Sequence, residues 1–426
     1  MSKLALLGGR PVIAAPPPAY ASMGKAEVDA VTAVVRSGCL SGFYGSPGPE
    51  FLGGPEVRKL EAAWAERYGV RHAVTVNSAT SGLMAAMGAI GISPGDEVIL
   101  PPWTMSATAV APLIYGGIPV FADIEDQTFC IDPDAVAAEI GPKTRAILAV
   151  DLFGHPAELA KLRRLADRHG LFLVEDSAQA PYADENGRLA GTVGHIGVYS
   201  LNFHKHIHAG EGGVCVTDDD RLADRLRMIR NHGENAAAEM ANGDLTNLIG
   251  FNWRMTELSA AVAGAQLKDI DRHVESRERL ARALSEGVGN LEGLTVPSVR
   301  TGCRHNYYVW MLRYDETAMG VGRDLFSRAL AAEGFPHAAG YLPPLYRLPL
   351  FRERKAIGRD GYPFNLSDRV YKDDLCPVTE RLHAKEALLF EPCSVAADDA
   401  LTEQLIEAVR KVHRLRGELV GKTAGA

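Results

Sequence analysis

Four short segments combine residue types able to hold a phosphate, a ring nitrogen or a reactive amine. In YSLNFHKHIHAGEGG, Tyr199 to Gly213, Ser200 closes an apolar run and Lys205 follows five positions later, ahead of a glycine-rich turn. A lysine forms a Schiff base only when its amine can shed a proton, which burial and nearby cations promote. Asp176 ends the run LFLVED. A carboxylate there is costly unless it meets a cation or hydrogen-bond donors. A protonated heteroaromatic nitrogen is a fitting partner, and Gln179 is placed to hold the same ring. NSATSG, Asn77 to Gly82, lies between the apolar run HAVTV and a helical stretch. Its small side chains let a phosphate reach the free N–H groups of Ala79 and Thr80 at a helix start, and Ser78 or Thr80 adds a hydroxyl. In GFNWRM, Asn252 and Arg254 precede a helix that Thr256 can cap, so both can reach an anion. Taken singly, capping or a solvated loop accounts for each segment better than chemistry does. His204, His206 and His208 sit two apart, do not share a helix face and have no paired carboxylates, so no metal site is predicted.

The elements around these segments alternate. From Glu56 to Gly213, amphipathic stretches such as PEVRKLEAAWAERYG and AELAKLRRLADRHG separate short apolar runs: HAVTV, DEVILP, IPVFADI, RAILAVDLFG and LFLVED. Strict alternation predicts a parallel sheet with helices on both faces. In such a sheet the ligand crevice lies at the carboxyl ends of the strands, where Asn77, Asp176 and Ser200 fall. SATAVAPLIYGG reads as one helix, VCVTD as an edge strand, and Ser22 as the cap of a helix ending near Gly38. The stretch from Thr256 to Gly289 reads as a long helix crossing into a smaller C-terminal domain. That domain would hold HNYYVWMLRY as a strand, a Pro-rich loop YLPPLYRLPLF and a final helix near ALTEQLIEAVRKVHRLRG. The expected division is an irregular arm at 1–20, where Pro16, Pro17 and Pro18 forbid regular pairing, a large domain at 21–270 and a small domain at 271–426. The Gly/Pro-rich stretch from Ser41 to Pro55 reads as a binding loop or lid, or equally as a surface insertion.

Composition bounds the function. Of 426 residues, 46% are hydrophobic and 23% charged, which suits a folded enzyme rather than a disordered chain. Lys+Arg 45 against Asp+Glu 53 leaves a net charge of −8, without the basic footprint of a nucleic-acid or anionic-membrane binder. No apolar run is long enough for a membrane span, and the first residues lack a convincing signal peptide. Six scattered cysteines without a CxxC pair fit a reducing cytoplasm.

Together NSATSG, PPWTM, VEDSAQA, the spacing of Ser200, Lys205 and Gly210 to Gly213, and GFNWRM resemble the DegT/DnrJ/StrS family, collinearly from about residue 7 to the final helix. These are pyridoxal-phosphate (PLP)-dependent sugar aminotransferases. The resemblance implies an α/β fold of type I PLP-dependent transferases: a large domain with a mainly parallel sheet between helices, plus a smaller C-terminal α+β domain. It implies that Lys205 holds the cofactor covalently and carries a proton, with Asp176 paired to the pyridinium nitrogen. Gln179 would contact the ring hydroxyl side, and Ser78, Ala79, Thr80 and Ser200 the phosphate. Asn252 would reach the phosphate of the neighbouring subunit of a homodimer. Where members stack an aromatic residue on the ring, this chain has Met105, a thioether, with Trp103 nearby. The implied reaction passes an amine from glutamate or glutamine to a keto-sugar, nucleotide-linked in the leading reading. A keto-cyclitol acceptor is the alternative, on the strength of the Tyr341–Phe351 and residue-42 loops. A sugar dehydratase would need another residue at 205, and a non-catalytic binding protein would lack the cofactor band.

Overall fold

The computed structural model describes residues 3–421. The first two residues of the expected arm and the last five of the expected C-terminal domain lie outside them. The central sheet has seven strands in the order β1-β9-β8-β5-β4-β2-β3. They are β1 (His72–Val76), β2 (Glu97–Leu100), β3 (Ile118–Phe121), β4 (Thr144–Val150), β5 (Phe172–Asp176), β8 (Ile196–Ser200) and β9 (Gly213–Thr217). Strands β3, β2, β4, β5 and β8 pair in parallel, as runs buried on both faces require. A hairpin of β6 (Asp184–Glu185) and β7 (Arg188–Leu189) stands outside this sheet and pairs with β11 (Cys303–Arg304).

Four readings of the chain are corrected here. VCVTD forms β9, which is not an edge: it is antiparallel to both β1 and β8, and every residue of it is buried. β1 closes the side that an edge strand would leave open. SATAVAPLIYGG is two pieces, a helix at Ser106–Val110 and a 3-10 turn at Pro112–Tyr115. Pro112 has no N–H to continue the ladder. The first helix spans Lys25–Ser37 and begins after Gly24, not Ser22. The Glu27 carboxylate accepts the Gly24 N–H at 2.7 Å, while the Ser22 hydroxyl pairs with His208 Nε2 at 2.7 Å. The long helix after Thr256 is likewise broken at Asp269 into Glu257–Lys268 and Ile270–Val288.

The C-terminal part holds an antiparallel sheet in the order β10 (Leu294–Thr295), β12 (Trp310–Tyr314), β14 (Ala387–Phe390) and β13 (Ala338–Ala339). It packs with helix Asp399–Arg414. Two segments cross the expected boundaries. The arm is fastened to the C-terminal core through buried Leu4 and Ile13, and the Glu333 carboxylate accepts the N–H groups of Ala5 at 2.8 Å and Val12 at 3.1 Å. The segment from Leu345 to Cys376 returns to the large sheet. There Phe121 meets Tyr346, Phe351 and Tyr371 edge-on, with centroids 5.6, 5.5 and 5.6 Å away. The hydrogen bond from Tyr371 Oη to Pro119 O, at 2.8 Å, orients this cluster.

Candidate active site

At the carboxyl end of β5, Asp176 is 5% exposed. Its Oδ2 accepts from Thr108 Oγ1 at 2.8 Å and its Oδ1 from the Ala178 N–H at 3.3 Å. Burial holds its carboxyl above the usual range, while these two donors and the Lys205 cation oppose the rise. Lys205 sits in the loop after β8. Burial pulls its amine down to about 8, against the opposing pull of the Asp176 carboxylate. At that value about a tenth of the amines are neutral at pH 7, far more than for a solvated lysine. Lys205 Nζ lies 4.2 Å from the centroid of the Tyr308 ring. Carboxylate and amine are therefore buried and electrostatically coupled, in surroundings of low polarity.

The other predicted residues gather around the ends of β1, β5 and β8. Ser78 caps helix Ala79–Ala89, its Oγ accepting the Ser81 N–H at 3.1 Å. The N–H groups of Ala79 and Thr80 lie in the first turn, which has no intrahelical acceptors for them. A Cβ on Gly213 would stand 2.7 Å from Ala79 N, so only glycine lets β9 begin against this turn. Across β9, Ser200 is in register with Gly213. The Asn77 N–H donates to Trp253 O at 2.8 Å, joining NSATSG to GFNWRM. Within the latter, Asn252 is exposed and its Oδ1 accepts from Arg254 Nε at 2.7 Å. Gln179 is buried, with Oε1 accepting the Phe153 N–H at 2.7 Å and Nε2 donating to Tyr341 Oη at 3.3 Å.

Met105 is 57% exposed at the start of helix Ser106–Val110. Trp103 is fully buried among Phe129, Phe153 and Tyr341, and its indole N–H donates to Leu342 O at 2.9 Å. It presents no face to a ligand, which removes it as a substitute for the stacking residue.

Thr108, Asn306, Tyr308 and Tyr341 were missed from sequence. Thr108 was hidden inside a run read as plain helix. Tyr308 and Asn306 lie in HNYYVWMLRY, read as one strand, but β12 starts only at Trp310, and Tyr307 has φ 53°. The two carboxylates next to Asp176 are equally enclosed. Glu175 accepts the N–H groups of Gly191 at 2.6 Å and Val193 at 2.8 Å, and also that of Gly194. Asp151 accepts from Ser177 Oγ at 2.6 Å and the Ala157 N–H at 2.9 Å. Burial raises both, Glu175 to about 7.

Comparison with known proteins gives three findings. A family model, the DegT/DnrJ/EryC1/StrS aminotransferase family, matches residues 22–387. Among curated proteins, an L-glutamine:2-deoxy-scyllo-inosose aminotransferase of Streptoalloteichus tenebrarius is 34% identical, covering 98% of this chain and 99% of that protein. The spore coat polysaccharide biosynthesis protein SpsC of Bacillus subtilis is 34% identical over 80% of this chain and 86% of its own length. Among solved structures, DesI, determined in the presence of its TDP-sugar product, superposes with a TM-score of 0.81 at 31% identity, covering 98% of both chains.

Proposed function

The chain belongs to the DegT/DnrJ/EryC1/StrS aminotransferase family, and from that premise we propose that it transfers an amino group from glutamine or glutamate to a ketone on a polyhydroxylated ring. The observation that carries this reading is the electrostatic coupling of two buried groups, Asp176 held by Thr108 and Lys205 set against Tyr308.

The donor set suits PLP. Bound there, the cofactor supplies an aldehyde carbon to hold the amino group and a protonated ring to accept electron density. Lys205 is the residue that would hold that carbon, and its amine would carry the proton to and from the substrate carbon that bears nitrogen. Its lowered affinity for protons suits it to both tasks. Asp176 keeps the ring nitrogen protonated, and Thr108 keeps Asp176 aimed. The first-turn amides of Ala79 and Thr80, with Ser78 and Ser200, hold the phosphate at the helix start. Gln179 borders the ring on the Tyr341 side. Met105 is the side chain we place against the ring face, where its thioether can pack.

We further infer a homodimer with shared sites. Asn252 is exposed beside the NSATSG turn, where it can reach a neighbouring subunit, and apolar side chains on nearby loops are exposed too: Tyr44 at 65%, Phe203 at 67% and Ile249 at 73%.

For the acceptor, the leading reading is a nucleotide-linked keto-sugar. The second is a keto-cyclitol, favoured by the end-to-end match to a scyllo-inosose aminotransferase. Two measurements test the proposal. Purified protein is expected to show an aldimine absorbance band that Lys205→Ala removes; a protein left colourless by added PLP would refute it. A screen of nucleotide-linked keto-sugars and keto-cyclitols with both donors, followed by product mass, separates the two acceptors.

A further inference from the structure

Among the residues in disfavoured backbone conformations, three lie in two segments that hydrogen-bond to each other, Phe153–Gly154 and the stretch around Tyr307. Phe153 and Tyr307 have φ of 59° and 53°, and Gly154 has φ 94°. Non-glycine residues in this region are strained and persist only where neighbours over-determine them. Asn306 hydrogen-bonds to Gly154, precedes Tyr307 in the chain and is fully buried.

Every polar atom of Asn306 is engaged. Its N–H donates to Gly154 O at 3.0 Å. Its carbonyl accepts from His206 Nε2 at 3.0 Å. Its Oδ1 accepts the Tyr308 N–H at 3.1 Å. Its Nδ2 donates to Gln179 O at 3.1 Å and Pro181 O at 2.8 Å. A Cβ on Gly154 would stand 1.8 Å from Oδ1, so the glycine exists to admit this amide. The three partners beyond that loop each bear on the site. His206 follows Lys205 in the chain; burial holds its ring well toward the neutral form, so Nε2 carries the donated proton. Tyr308 supplies the ring beside the Lys205 amine. Gln179 is the residue proposed to border the cofactor. Neither leucine nor aspartate at 306 could repeat this pattern, since only an amide donates twice and accepts at once in that space.

We propose that Asn306 is a positioning residue that locks the Tyr308 ring, the Lys205 loop and the Gln179 backbone into one geometry, and so sets the environment of the reacting amine. It acts through Lys205 and Tyr308, without touching the reacting atoms. The inference rests on Lys205 being the reactive amine, as proposed above.

The test measures the Lys205 amine without relying on turnover. Full-length apo protein is labelled by reductive methylation across pH, and the Lys205 peptide is quantified by mass spectrometry. Asn306→Ala frees the Tyr308 ring and admits water, so the labelling midpoint is expected to rise by half a pH unit or more, with kcat falling at least tenfold and the donor KM changing less. Tyr308→Ala should raise the midpoint likewise, and the double variant should add little to either single one. Tyr308→Phe, which keeps the ring, should label as wild type. Should Asn306→Ala fail to fold, Asn306→Asp retains the acceptor for the Tyr308 N–H and serves in its place, with a midpoint between the two. A wild-type midpoint in Tyr308→Ala, or in a folded Asn306 variant, overturns the role of Asn306, as do fully additive shifts. Failure of the wild-type chain to bind PLP at Lys205 would instead overturn the proposed function, and the labelling midpoints would still decide the positioning role.

Discussion

The floor of the site and its rim are built on opposite principles. On the floor, Asp151, Glu175 and Asp176 are at most 5% exposed, and each meets a hydroxyl or backbone N–H from its own chain. On the rim, Met105, Phe203 and Asn252 face outward, and the side-chain bond of Asn252 is to its neighbour Arg254. The carboxylates of the floor are satisfied within one subunit; the rim offers exposed apolar and polar surface that a second chain can use. The lesson is that chemistry and cofactor retention can be broken separately.

The largest expected effect is on the floor. Asp176→Asn should retain cofactor absorbance but lose roughly a hundred- to thousand-fold in kcat, the scale of removing a preorganised charge partner. Turnover near wild type would reject its pairing with the ring nitrogen. On the rim, Asn252→Ala should weaken cofactor retention, and mixing it with Lys205→Ala should restore part of the lost activity. Dialysis against cofactor-free buffer and an assay of mixed subunits check both, and no rescue would mean each site comes from one chain. Thr108→Val removes one donor to a charged acceptor and should cost about tenfold in kcat, without altering subunit mixing. The smallest effect is on stability. Lys205 carries its proton less readily when folded than when unfolded, so the folded chain binds fewer protons between about 8 and the ordinary lysine value. That cost is present in full below pH 8 and fades as pH rises through the unfolded lysine range. Lys205→Met should therefore raise the denaturation midpoint of the apo protein at pH 7, and the gain should shrink toward pH 10.5; a gain independent of pH would point to packing alone.

Much of this floor was legible in the chain, because Asp176, Ser200 and the NSATSG turn each end an apolar run, and strand ends in a parallel sheet converge. Lys205 was singled out by the family resemblance, whose spacing from Ser200 it keeps; by itself it read as a solvated loop lysine. Thr108 and Asn306 were not legible. The partner of Thr108 lies 68 residues away and those of Asn306, Tyr308 apart, at least 100, and no local pattern announces a hydrogen bond of that span. The interior position of β9 was missed for a related reason: strand order is decided by which neighbour buries an edge, and the run VCVTD reads alike in either place. Pro112 was visible, yet the apolar periodicity around it outweighed the missing N–H.

The fastening of the arm has a consequence for how this protein is made. Lys411 Nζ donates to Arg10 O at 2.7 Å and to the Glu333 carboxylate at 2.8 Å, and the first of these bonds spans 401 residues. On a ribosome adding roughly 5–20 residues per second, residues near Arg10 leave the exit tunnel on the order of 20–80 s before their partner is synthesised. Leu4 and Ile13 pack on residues from 280 onward, so their burial too waits for the C-terminal core, and the Lys411 clasp closes last.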